Sequence, residues 1–268
     1  MLKSHLSPYA RATFVLATII IITMRVLGLQ HIALIFTPLL TLPLLYDYHI
    51  KVGKDQGIYF ILSFCLLGDM IVLSDDFYYF ISALMAYWGA SILFCFTLNR
   101  ELEKPLGESL RQWKYALPIL VYGVYFVILM AFIKPYLKEL FIPITIYSAT
   151  LSFAAALSII VYLQRRSRSV GYFTTGLVML SITASLIGVN RFYLKSDLLH
   201  GLETLLYAPT LFFIFLYFFS FLALSPLTVV DISIISILCP GLSAFIKLIW
   251  DSSELIFAAL YVSNSIVT

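Results

Sequence analysis

The residue in this chain best placed to do chemistry is Asp69. It lies late in the apolar run Ile58-Tyr-Phe-Ile-Leu-Ser-Phe-Cys-Leu-Leu-Gly-Asp-Met-Ile-Val-Leu73, which is long enough to cross a bilayer. A carboxyl at that depth is costly, so it usually faces a bundle interior or a water-filled cavity and marks function. Two readings stay open: a hydrogen-bonding group that packs helices, or a donor and acceptor of protons. At matching depth in a later apolar run stands Ser181-Ile-Thr183-Ala-Ser185. These hydroxyls either bond back to their own helix or line a cavity together with Asp69. Tyr87, Tyr147 and Tyr207 fall mid-run or near it, where aromatic rings pack more often than they react. Asp75, Asp76, Asn190, Arg191, Asp197, His200 and Glu203 fall at the outer ends of their runs and read as interfacial, with Arg191 paired to an acidic neighbour.

Other chemistries lack their signatures. Cys65, Cys95 and Cys239 are isolated, so they offer no metal-ligand spacing and no disulfide framework, and they read as small core residues. The sequence has no Ser-His-Asp pattern, no glycine-rich phosphate loop and no base-reading motif. Nucleic acid and nucleotide chemistry are excluded, and no cofactor or metal is implied.

The elements that must position Asp69 follow from composition. The chain has 268 residues, of which 62% are hydrophobic and 12% charged. Soluble domains are nearer 45–50% apolar and about 25% charged. That excess calls for lipid as solvent, and the runs are too long for barrel strands, so an all-α polytopic membrane helix bundle is expected. Eight spans are expected, at approximately 12–29, 31–46, 57–74, 77–98, 115–133, 140–164, 170–190 and 203–224, with a possible ninth. Short loops make residues 1–225 one bundle. The basic start Met1–Arg11 leads into a long apolar run and reads as a signal-anchor rather than a cleaved signal peptide. Residues 226–268 form an extension, apolar but broken by Asp231, Lys247 and Cys239-Pro240-Gly241: a kinked ninth helix, an interfacial segment or a tail.

Several stretches, in order, resemble the YhhN family, lysoplasmalogenase-like membrane proteins of eight helices. They are Thr37-Pro-Leu-Leu-Thr-Leu-Pro43, Phe64-Cys-Leu-Leu-Gly-Asp-Met-Ile-Val-Leu73, Ala86-Tyr87, Pro143-Ile-Thr-Ile-Tyr147, Gly176-Leu-Val-Met-Leu-Ser-Ile-Thr-Ala184, Gly188-Val-Asn-Arg-Phe-Tyr193 and Thr204-Leu-Leu-Tyr-Ala-Pro209. The resemblance covers roughly residues 10–224. It implies hydrolysis of the vinyl ether bond of a lysoplasmalogen, a membrane lipid of lysophospholipid type, to a fatty aldehyde and a glycerophospho-alcohol. It implies that Asp69 is the catalytic acid, with Thr183 and Tyr147 positioning water or the ether oxygen. Asn190 and Arg191 would lie near the headgroup phosphate, which suits the planar guanidinium, with Tyr87 and Thr204 also in the substrate site. The implied location is the bacterial inner membrane.

The chain departs from that family where a second aspartate is expected: Ala184 stands there. Tyr87, Thr37, Leu205 and Pro209 replace the family's His, Lys, Tyr and Gln. Alanine moves no proton, and losing one member of an acid–base system costs about 10²–10⁴ in rate. Asp75, Asp76 or Glu203 would have to substitute, or the reaction is lost. The alternatives are therefore a noncatalytic lipid-binding or structural relative, and a proton-coupled transporter. Lys and Arg divide eleven to five between the two sides of the bundle core, which places the N-terminus in the cytoplasm. A topology reporter inserted within residues 100–114 is expected to read cytoplasmic, and an external reading would reverse the orientation.

Overall fold

The computed structural model describes residues 8–51, 56–71, 77–194 and 196–221. These residues are helical, with no strand among them. The helices are α1 (Pro8–Val26), α2 (Gln30–Phe36), α3 (Pro38–Lys51), α4 (Gln56–Ile71), α5 (Phe77–Glu101), α6 (Leu106–Ser109), α7 (Trp113–Leu137), α8 (Phe141–Arg165), α9 (Arg168–Val189) and α10 (Asp197–Phe221). A 3₁₀ turn joins α7 to α8, and a π-helical turn, Asn190–Leu194, follows α9. Eight of these helices have fourteen residues or more and fall on the eight expected spans. Three stretches, Phe77–Glu101, Trp113–Arg165 and Arg168–Leu194, are long and apolar enough to cross a membrane; the second of them holds both α7 and α8. The ends expected at 72–74 and 222–224, and the extension 226–268, lie outside the described residues.

The second expected span, 31–46, is two helices rather than one. Its break falls at Thr37-Pro38, because Pro38 has no N–H to continue the ladder but suits a first helical position. Gly28 ends α1 at φ +74°, with its N–H on the Arg25 carbonyl and the Leu29 N–H on the Met24 carbonyl. That bonding pattern closes a helix with a glycine in the left-handed region. At the far end of α8, Arg166 takes φ +48°, and Ser167 caps α9 by accepting from the Val170 N–H.

Seven helices close a ring through neighbouring contacts: α1 on α3, α3 on α4, α4 on α5, α5 on α8, α8 on α9, α9 on α10, and α10 back on α1. α7 packs against α8 and leaves Leu120, Val121, Val124, Val127 and Ile128 exposed, an apolar face suited to lipid. The main core runs through the ring, with Phe64, Phe94, Phe173 and Phe215 fully buried. A smaller core of Leu84, Met130, Ile133, Leu137 and Ile144 joins α5, α7 and α8.

Small residues set the closest approach. A Cβ at Gly176 would lie 2.6 Å from Ile214 Cγ1 and 3.1 Å from the Ile214 backbone nitrogen. No L-side chain fits there without parting α9 from α10, the pair with the most extensive contact in the bundle. At the basic end, Arg165 pairs with Glu101, and Gln164 accepts from the Glu103 N–H (2.9 Å) and donates to Ser109 Oγ (2.9 Å). These contacts fasten the loop before α7 to the end of α8.

Candidate active site

α4 carries Asp69 into the middle of the ring, where only 1% of its surface is exposed. Three hydroxyls donate to it, each from a different helix. Thr41 of α3 reaches Oδ2 at 2.8 Å; Tyr87 of α5 and Tyr207 of α10 reach Oδ1 at 2.7 and 2.9 Å. A carboxylate has about four acceptor positions, so three donors leave one on Oδ2. Hydroxyls accept as well as donate, so the same shell can hold the neutral acid as well as its ion.

The residue before Asp69 makes this shell possible. A Cβ at Gly68 would come within 2.6–2.9 Å of three atoms of the Tyr87 ring. With glycine there, the ring lies against the α4 backbone and its hydroxyl reaches one residue further, to Asp69.

A second polar cluster stands nearby. Glu203 of α10 is buried; its Oε1 accepts from Asn190 Nδ2 at 2.9 Å, and its Oε2 lies 3.6 Å from an Arg25 guanidinium nitrogen of α1. Asn190 opens the π-helical turn and is itself fixed: its Oδ1 accepts from the Ser196 N–H at 2.8 Å, and its Nδ2 also donates to the Ser196 carbonyl at 3.2 Å. π turns of this kind recur at functional sites. Arg25 lines the same cavity as Asp69, Tyr87 and Tyr207.

Both clusters open on one cavity of about 590 Å³, within the range of small-molecule sites. Its walls are apolar where Ile21, Leu84, Leu129, Ile133, Ile144 and Leu151 face it, and polar where Asp69, Arg25, Arg191 and Glu203 do. All seven residues singled out from sequence line it: Asp69, Thr183, Tyr147, Asn190, Arg191, Tyr87 and Thr204. They differ in what they reach. Tyr87 touches Asp69 directly. Thr183 donates to the Met179 carbonyl of its own helix at 2.8 Å, and Ser181 and Ser185 likewise bond back within α9. Tyr122 and Tyr125 of α7 bridge to these serines. Arg191 lies with its guanidinium 4.1 Å from the centre of the Phe80 ring, and Arg25 pairs with Glu203.

Residues 31–218 match the model of the YhhN family, more than half of the chain. The chain belongs to the YhhN family. Neither the curated proteins nor the solved structures provide a match. In this YhhN protein, Ala184 lines the cavity with a methyl group, and Asp75 and Asp76 lie outside the described residues.

Thr41, Tyr207 and Arg25 carry more of this site than their sequence context suggested. A signal was present for Arg25, an ionisable residue inside an apolar run, which is the same mark that picks out Asp69. Nothing in the sequence pairs Thr41 or Tyr207 with an aspartate 28 and 138 residues away.

Interhelical hydrogen bonds in membranes average about 0.6 kcal/mol, but removing a donor from a buried acceptor costs about 1–3 kcal/mol. Tyr207→Phe is therefore expected to lower the unfolding free energy in mixed micelles by about 1–2 kcal/mol. Unchanged stability would show that the hydroxyl shell does not fasten α10 to α4.

Proposed function

We propose that this YhhN protein is a lysoplasmalogenase-like membrane hydrolase, built of eight transmembrane helices with its N-terminus in the cytoplasm of the bacterial inner membrane. The substrate is a single-chain lipid whose vinyl ether is cut to a fatty aldehyde and a glycerophospho-alcohol. The observation that carries the reading is a buried carboxyl, Asp69, with one acceptor position left, on the wall of a cavity that is apolar along one part and charged along another.

The chemistry asks for a proton at carbon. Asp69 gives its proton to the alkenyl carbon remote from oxygen, an oxocarbenium ion forms, and water adds to it, much as acid and base share the work in glycosidases. Tyr147 and Thr183 border the space where the ether oxygen and water must meet. Arg191 and Asn190 stand at the same end of α9, where a headgroup phosphate would be held. Tyr87 holds Asp69 in place, and Thr204 adds a further hydroxyl to the wall.

One observation favours a second reading, a lipid-binding or structural relative without catalysis. Asp69 joins four helices through three hydroxyls, which is enough to explain a buried carboxyl as a fastening point.

The purified protein is expected to release aldehyde from a lysoplasmalogen, and Asp69→Asn to release it about 10²–10⁴-fold more slowly. A folded wild type that binds the lipid and releases no aldehyde would favour the second reading.

A further inference from the structure

We infer that Glu203 is the second acid–base carboxyl of this cavity, taking the proton from the attacking water and returning it to the departing glycerol oxygen. The inference rests on the hydrolase reading and names the group that Ala184 cannot supply.

Four buried carboxyls occur among the described residues: Asp47, Asp69, Glu101 and Glu203. Of these, Asp69 and Glu203 line the cavity; Glu101 is paired with Arg165 at the other end of α5. The two cavity carboxyls differ in their surroundings. Asp69 is met by three neutral hydroxyls, a setting from which an acid can give its proton. Glu203 has a guanidinium 3.6 Å from one oxygen and an amide donating to the other, charged and polar groups that hold it in place. Two carboxyls held in unlike environments on one cavity are the usual arrangement for dividing acid and base roles. Glu203 is also well oriented, because the Asn190 amide that holds it is pinned at both of its ends by the Ser196 backbone. Ala184 of α9 and Glu203 of α10 line the same cavity from two helices that pack against each other.

The steps balance without a further reactant. The Asp69 carboxyl proton forms a C–H bond at the remote alkenyl carbon, leaving the Asp69 carboxylate and an oxocarbenium ion. Water oxygen bonds to the oxocarbenium carbon as one of its protons passes to the Glu203 carboxylate, giving a hemiacetal. The hemiacetal C–O bond to glycerol then breaks. Glu203 gives its proton to the departing oxygen, and the hemiacetal hydroxyl proton passes to the Asp69 carboxylate. The products are an aldehyde and an alcohol, and both carboxyls return to their starting states.

The test measures aldehyde release by the full chain in lipid nanodiscs from a vinyl-ether lysophospholipid, alongside thermal melting. Glu203→Gln leaves the Arg25 charge without its partner, so it is expected to melt below the wild type and, in the folded fraction, to slow release about 10²–10⁴-fold. Glu203→Ala opens a space beside Arg25 and Asn190 where formate can stand for the lost carboxylate. Added formate is expected to restore part of its rate, and to restore none in Asp69→Asn. A restored rate that rises with the basicity of the added carboxylate separates a base from a merely structural ion pair, which any carboxylate that fits would refill. A wild type that releases aldehyde beside an equally active Glu203→Gln overturns the role of Glu203 alone. Failure of formate to raise the rate of a folded Glu203→Ala also overturns it. A wild type that releases no aldehyde overturns the hydrolase reading and this one together.

Discussion

A carboxyl buried in an apolar bundle must have hydrogen-bond partners, and much of this structure is arranged to supply them to Asp69. Left unsatisfied, such a group costs several kcal/mol or more. The partners come from three helices far apart in sequence, Thr41 on α3, Tyr87 on α5 and Tyr207 on α10. Satisfying Asp69 therefore draws α3, α4, α5 and α10 to one point. Gly68 lets the Tyr87 ring lie against α4 and completes the shell. The close packing of α9 on α10 at Gly176 sets the other side of the ring.

The second constraint is the pair Arg25 and Glu203. Neither charge is easily carried alone into an apolar interior, and together they bridge α1 and α10. The π-helical turn at Asn190 adds a donor on the Glu203 side, so the charged end of the cavity is built from α1, α9 and α10. Much of the remaining wall is aliphatic, with Ile21, Leu84, Leu129, Ile133, Ile144 and Leu151. The cavity thus has both charged and apolar lining, which suits the single-chain lipid proposed as its substrate. The same geometry explains how a YhhN chain with Ala184 can still present two carboxyls to one cavity.

Long apolar runs made the helices legible, since a membrane leaves the backbone few ways to satisfy itself. The order of the motifs carried the family, and the depth of Asp69 in its run pointed to the cavity it lines. The break at Thr37-Pro38 was written in the sequence too, as a proline with no N–H to give, but the apolar run around it read as one span. Pairings were not legible. Thr41 and Tyr207 look like ordinary span residues, and only the ring closure of α3, α4 and α10 brings them to Asp69. Arg25 stands inside the first apolar run, and the fold turns it inward to Glu203. Thr183 illustrates the reverse case: it lines the cavity, while its hydroxyl proton goes to its own helix.

The most direct measurement is an experimental structure in a nanodisc with a hydrolysis-resistant, single-chain alkyl ether lipid bound. The ether oxygen is expected between Asp69 and Glu203, with water or lipid at the remaining acceptor position of Asp69 Oδ2 and the phosphate toward Arg191. A lipid bound elsewhere, with the Asp69 shell closed and Oδ2 dry, would contradict it.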